Sequence, residues 1–170
     1  VQWFNVIMIG VMSILTISQQ HDVFIIVSKA KNELAYFEKG SLKYTVPVAT
    51  GLQPDDTPEG IFTVVVKAAD PYDRKRDIPG GVPENPLGSR WIGLDARETD
   101  GRIYGIHGNN NPASIGQRVT NGCVRLHEAD IQRLFAETPY GTHVLITSED
   151  SSYESLAEAY FNRSSQRSSA

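Results

Sequence analysis

Cysteine is nearly absent from this chain: Cys123 is the only one in 170 residues. No internal disulfide can form, so Cys123 is a free thiol, and free thiols that matter generally matter for reactivity. Histidine is scarce as well, four residues in all, too sparse to point to a metal site. Basic charge is not in excess. The formal net charge is −4, without the strongly basic balance that accompanies nucleic-acid binding. Internal repeats are lacking too. Charged residues at 21% and hydrophobic ones at 40% are ordinary for a globular protein. The length fits one domain with flanking pieces and a substantial core.

Formal charge is also missing before Asp22, and residues 6–17 form a twelve-residue apolar run. Twelve residues match the apolar region of a signal peptide better than a full span, which needs about 20. With Trp3 at the interface, a short membrane anchor is the alternative; a buried helix or strand is a third reading. Residues 1–20 are therefore expected to be a signal peptide or short anchor, placing the protein outside the cytoplasm, with the membrane touched only through this segment.

From Asp22 onward the pattern is that of strands. Val23-Phe-Ile-Ile-Val27 is a β-branched apolar run, and residues 33–37 and 42–46 alternate, with Lys39-Gly40-Ser41 between them as a hairpin turn. Thr57-Pro-Glu-Gly60 precedes another apolar run, residues 61–66. Residues 67–90 hold four prolines and Gly80-Gly81, a length of loop that is usually functional or disordered. The basic knot Arg74-Lys75-Arg76 inside it, flanked by Asp73 and Asp77, reads as a solvated, locally neutralised surface, with a ligand-binding patch as the alternative. Ile131, Leu134 and Phe135 share one face of a short helix after the cysteine. His143 alternates with apolar positions in a last strand and reads as structural. Residues 149–170 are expected to be a polar, disordered tail, with a short helix over 153–161 as an option.

The chemistry concentrates around the thiol. His107-Gly108 lies sixteen residues before Cys123, and Asn109-Asn-Asn-Pro112 with Gly116 permits the intervening loop to fold back on itself. A histidine brought to a thiol in this way can take its proton. Gly122 lets the backbone approach a substrate closely and aim amide N–H groups at an oxyanion, each such donor being worth about 2.7–4 kcal/mol in the transition state. Arg125, two residues on, shares a face with Cys123 if the segment is extended. It could lower the thiol pKa or bind a carboxylate, or tie down the loop through backbone carbonyls.

Taken together, His107-Gly108, Thr120-Asn-Gly-Cys-Val-Arg-Leu126, Ile115-Gly116, Thr57-Pro-Glu-Gly60 and Leu87-Gly-Ser-Arg-Trp-Ile-Gly93 resemble the L,D-transpeptidase (YkuD-like) catalytic domain over residues 22–148. The resemblance implies a mainly β fold, β-rich α+β and sandwich-like, with one short helix after the cysteine and a long proline-rich loop. It implies Cys123 as nucleophile, His107 as general base, the Gly108 carbonyl as the group orienting the imidazole, and the amides of Gly122 and Cys123 as oxyanion donors. Arg125, Trp91 and Asn121 are the substrate-side candidates. Asn121 stands where many members carry histidine, so no second histidine acts there.

The implied reaction is acyl transfer on peptidoglycan stem peptides, from a donor tetrapeptide to an amine acceptor, without metal or cofactor. Carbapenem and other β-lactam inhibition, a monomeric state and no nucleic-acid partner are expected. An L,D-carboxypeptidase or a cysteine amidohydrolase acting on cell-wall peptides is the alternative enzyme, and a catalytically silent wall-interaction module the alternative of another class. A sortase-like arrangement spaces its histidine and arginine much further from the cysteine. Papain-like enzymes place the cysteine before the histidine.

Overall fold

The computed structural model describes residues 22–168, so the expected signal or anchor segment lies outside the described residues. Ten strands and two helices follow in chain order: β1 Val23–Ser28, β2 Glu33–Glu38, β3 Ser41–Pro47, β4 Thr50–Gly51, β5 Gly60–Ala69, β6 Arg90–Leu94, β7 Tyr104–His107, β8 Arg118–Thr120, β9 Val124–Arg125, α1 Glu128–Glu137, β10 His143–Thr147 and α2 Tyr153–Ser168. Eight strands form one curled mixed sheet in the order β3-β2-β1-β10-β5-β6-β7-β9, and β4 pairs with β8 in a small parallel ladder. The pairs β1–β10 and β7–β9 are parallel and the other neighbours in the large sheet antiparallel. No helix of the described residues is long and apolar enough to cross a membrane.

Local chemistry explains most of these elements. The β2–β3 hairpin turns on Lys39 and Gly40, both with positive φ, the two-residue geometry whose twist suits a hairpin. On one side of the sheet, Ile25, Val27, Leu34, Val64, Ile92, Leu94 and Ile106 pack with Ile131 and Leu134 of α1. Lys67 closes the end of α1 by donating from Nζ to the carbonyls of Phe135 and Thr138, each at 2.7 Å, which satisfies acceptors a helix end leaves open.

The other side holds a second core, and here the tail departs from expectation. As far as residue 168 this segment is not the disordered tail expected: α2 packs Tyr153, Leu156 and Ala157 against Phe24, Ile26, Ala35 and Phe37, with Tyr160 and Phe161 alongside. Phe24 stacks on Tyr160 with ring centroids 4.1 Å apart. The fold thus has two helices where one was expected. The exposed His143 sits beneath Tyr160, its Nδ1 hydrogen-bonded to the Tyr160 hydroxyl, a position in the outer packing and not at the thiol.

The proline-rich stretch is a built loop. It starts after β5, at residue 70. Asn85 Nδ2 donates to the carbonyls of Pro71 and Pro79 at 2.8 and 3.0 Å. The buried Asp73 carboxylate accepts the Lys75 and Arg76 amides and the Arg76 guanidinium, the last at 2.9 Å. Asn110 Nδ2 donates to the Glu84 carbonyl at 3.1 Å, joining this loop to the segment that follows His107.

Candidate active site

The site is assembled by the β6-β7-β9 end of the sheet. His107 closes β7, with Trp91 of β6 opposite on one side and Arg125 of β9 opposite on the other. Cys123 immediately precedes β9, two residues from Arg125. The parallel pairing of β7 with β9 therefore brings the two ends of the sixteen-residue separation side by side, as the turn-rich loop between them allows. Part of that loop is anchored, because β8 pairs with β4 and the Gly116 amide donates to the Val48 carbonyl at 2.9 Å.

Cys123 is partly exposed, and its thiol donates to the Ile103 carbonyl, Sγ to oxygen 3.4 Å. Burial pushes its pKa up; the Gly105 amide and the charges of Arg125 and Lys75 act in the other direction. His107 is buried, with Nδ1 2.7 Å from the Gly108 carbonyl. A carbonyl can only accept, so Nδ1 carries the proton and Nε2 is the basic nitrogen. Burial pushes its pKa down to about 4; the Gly108 and Leu87 carbonyls oppose the shift and the Arg125 charge adds to it. Among the described residues, the thiol's hydrogen-bond partner is Ile103 and not the imidazole. The two groups share one end of the sheet without being joined in this state.

Besides the Gly108 carbonyl, two residues support the imidazole, one by contact and one through the loop that carries that carbonyl, and only the first was marked in advance. Trp91 stacks on His107, ring centroids 5.6 Å apart and planes 14° from parallel, and its indole N–H donates to the Gly101 carbonyl at 2.8 Å. A Cβ at Gly105 would come within 2.6 Å of the indole, so glycine there makes room for it. Trp91 is 7% exposed, which makes it a wall behind His107 and not a surface offered to substrate.

The second residue is Glu128, which pattern reading passed over. Its carboxylate accepts the Asn109 amide at 2.9 Å and the Ser89 amide at 3.2 Å. A Cβ on either Gly88 or Gly108 would come within 1.9 Å of Glu128 Oε1. One carboxylate in the first turn of α1 thus clamps the loop before β6 to the loop after β7. The second of these loops carries the carbonyl that orients His107.

At the nucleophile turn, the Gly122 amide is already committed. It donates to Thr120 Oγ1 at 3.1 Å, and Thr120 Oγ1 donates to the Cys123 carbonyl at 2.7 Å. The expected pair of oxyanion amides is therefore reduced, in this state, to that of Cys123. Arg125 donates from Nη1 to Ser114 Oγ at 3.0 Å, and its buried Nε has no partner among the described residues. Burial lowers its pKa, while Cys123 favours its charge and Arg76 opposes it. Arg125 thus holds the loop through the Ser114 hydroxyl and not through the backbone carbonyls expected of it, and its charge bears on the thiol. Asn121 is exposed on the rim. Among the described residues no three His, Cys, Asp or Glu side chains come together as metal ligands would.

Comparison with known proteins follows the same lines. A model of the L,D-transpeptidase catalytic domain, YkuD, matches residues 22–146. The chain is 52% identical over 136 residues to Bacillus subtilis YqjB, by name a candidate L,D-transpeptidase, covering 80% of this chain and 77% of that one. It is 37% identical over 123 residues to Bacillus licheniformis YkuD, named likewise, covering 72% of this chain and 64% of the relative. Among solved structures, the catalytic domain of an Enterococcus faecium L,D-transpeptidase acylated by ertapenem superposes with a TM-score of 0.55 at 25% identity, covering 74% of this chain and 97% of that one. A Mycobacterium smegmatis L,D-transpeptidase superposes at 0.58 with 20% identity, covering 74% of this chain and 58% of that one, a likeness of fold.

Proposed function

Because the chain belongs to the L,D-transpeptidase (YkuD) catalytic-domain family, we propose that it is a peptidoglycan L,D-transpeptidase with Cys123 as nucleophile and His107 as general base. The observation that carries this reading is the β7–β9 pairing. It sets the lone thiol, an imidazole with a defined tautomer, and a half-buried guanidinium at one end of the sheet.

The shifts described above make the resting pair neutral, thiol and imidazole, at ordinary pH. Proton transfer then accompanies attack and requires the Cys123 side chain to turn from Ile103 toward His107 Nε2. Contacts of this kind commonly tighten only with substrate in place. Sulfur bonds to the carbonyl carbon at the L-centre of the third residue of a stem tetrapeptide, and its proton passes to Nε2. Collapse of the tetrahedral intermediate breaks the C–N bond, and His107 returns the proton to the departing D-alanine. An amine of a neighbouring stem then attacks the thioester, His107 takes the amine proton, and the C–S bond breaks to regenerate the thiol with a 3→3 cross-link formed.

Arg125 and the Lys75 side of the proline-rich loop supply positive charge near the thiolate and a place for a substrate carboxylate. Asn121, on the rim, meets the stem peptide. The substrate lies outside the cytoplasmic membrane, and the protein acts there. Structural neighbours include an L,D-transpeptidase acylated by ertapenem and another in complex with imipenem, and carbapenems are expected to acylate this chain too.

Mass spectrometry tests the proposal. A carbapenem adduct on the wild-type protein that is lost in Cys123→Ala, together with D-alanine release from a tetrapeptide stem, is the expected result. His107→Ala folds but acylates roughly 10²–10⁴-fold more slowly. Folded wild-type protein that forms no adduct and releases no D-alanine overturns the proposal.

A further inference from the structure

Thr57 stands 66 positions before Cys123, and nothing in the acyl-transfer scheme uses it. Yet it is 1% exposed, and its hydroxyl is fully engaged. Oγ1 accepts the Gly51 amide at 2.8 Å and donates to the Gly122 carbonyl at 3.0 Å. Its own carbonyl is held by the buried ammonium of Lys29 at 2.9 Å, and the same ammonium binds Glu59 at 3.0 Å. A buried hydroxyl with its single proton committed to one carbonyl is a fixed point.

The geometry of the peptide unit carries the argument further. The Gly122–Cys123 bond is trans, since the described residues contain no cis peptide. In a trans unit the C=O and the N–H point in opposite directions. With the Gly122 carbonyl drawn to Thr57, the Cys123 amide is directed the other way. The Gly122 amide is already spent on Thr120, which leaves the Cys123 amide as the donor of this turn. Gly122 sits at φ +133°, and a Cβ there would lie 2.5 Å from the Asp56 carbonyl. The loop carrying Thr57 therefore presses directly on this peptide.

We infer that Thr57 is a positioning residue: its hydroxyl sets the plane of the Gly122–Cys123 peptide so that the Cys123 amide faces the oxygen of a carbonyl under attack. The inference rests on Cys123 being the nucleophile, and it concerns one stage of the reaction alone. Acyl transfer passes through a tetrahedral oxyanion, whereas displacement of iodide by the same thiol does not.

The test compares two reagents that react at Cys123, p-nitrophenyl acetate and iodoacetamide, in Thr57→Val and Thr57→Ser. With the ester, sulfur bonds to the acetyl carbon, p-nitrophenolate leaves and the thiol proton passes to His107. With iodoacetamide, sulfur bonds to the methylene carbon, iodide leaves and the thiol proton passes to His107. Removal of an oxyanion donor outright costs about 10²–10³-fold in rate, so a donor that has lost its aim is expected to cost at least tenfold. Thr57→Val should slow acetylation by at least that factor and keep alkylation within about twofold, and Thr57→Ser should restore acetylation.

Equal slowing of both reagents, or of neither, overturns the inference. Should Thr57→Val fail to fold, Thr57→Ala, which likewise lacks the hydroxyl, carries the same comparison. Neither reagent is a cell-wall molecule, so the split is read whether or not the protein releases D-alanine from a stem peptide.

Discussion

At the scale of single residues, the neutrality of His107 has consequences for both folding and rate. Its ordinary pKa is 6.5, and burial lowers it to about 4 in the native protein. Between these values the unfolded chain takes up a proton that the native state refuses. Stability is therefore full above about pH 6.5 and falls as the pH drops toward 4, by about 3 kcal/mol in all. Urea midpoints measured between pH 7 and 4 should show this decline in the wild type and a shallower one in His107→Gln. The acid limb of the acylation rate should likewise lie near pH 4; a limb near 6.5 would mean that the imidazole is solvated.

Cys123, His107, Gly108 and Arg125 were legible because each lies within two residues of another member in the sequence. Thr57 and Glu128 act across long separations, and no local pattern announces a hydrogen bond of that kind. Trp91 was expected on the substrate side and instead lies buried against His107, since a sequence does not say which side of a ring is covered. The Gly122 amide was misjudged for a related reason. Thr120 is adjacent, and only the turn's geometry shows that its hydroxyl takes that hydrogen.

At the scale of elements, α2 shows what composition conceals. Tyr153, Leu156, Ala157, Tyr160 and Phe161 recur at the i, i+3, i+4, i+7, i+8 spacing of an amphipathic helix, but they sit among serines that made the segment read as tail. A second sign lay at the other end of the chain. All six residues of β1 are buried, and a strand apolar on both faces needs a cover on both. The β2–β3 hairpin and α1 were visible because their signals, a glycine-bearing turn between alternating runs and a single apolar stripe, are local, although Ser41, read as part of the turn, opens β3.

Leu156→Ala should cost about 2–4 kcal/mol, within the range for buried leucines, and be seen as a lowered urea midpoint. Acylation of Cys123 in the folded variant should not change, because α2 packs on Phe24, Ile26, Ala35 and Phe37, away from the β6-β7-β9 end. A large loss of rate would mean that the two cores are coupled.

For the whole molecule, sheet order decides how it comes apart. Within the large sheet, β3-β2-β1 and β5-β6-β7-β9 are joined through β10 alone. Strand β10 pairs with β1 over five positions and with β5 over four. The two halves should therefore unfold together: Trp91 emission in a Trp3→Phe background and far-UV circular dichroism should give coincident urea transitions. Separate transitions would mean that one half stands without the other. The strands themselves were visible as apolar runs, but their order was not, because pairing between residues more than a hundred positions apart leaves no periodicity to read.

The same central strand sets a timetable for biosynthesis. A ribosome delivers β10 after every strand of the two halves it joins, so the large sheet cannot be completed until residues 143–147 have been made. The seam between the two halves closes only when β10 emerges, which makes it the last joint of the large sheet to form.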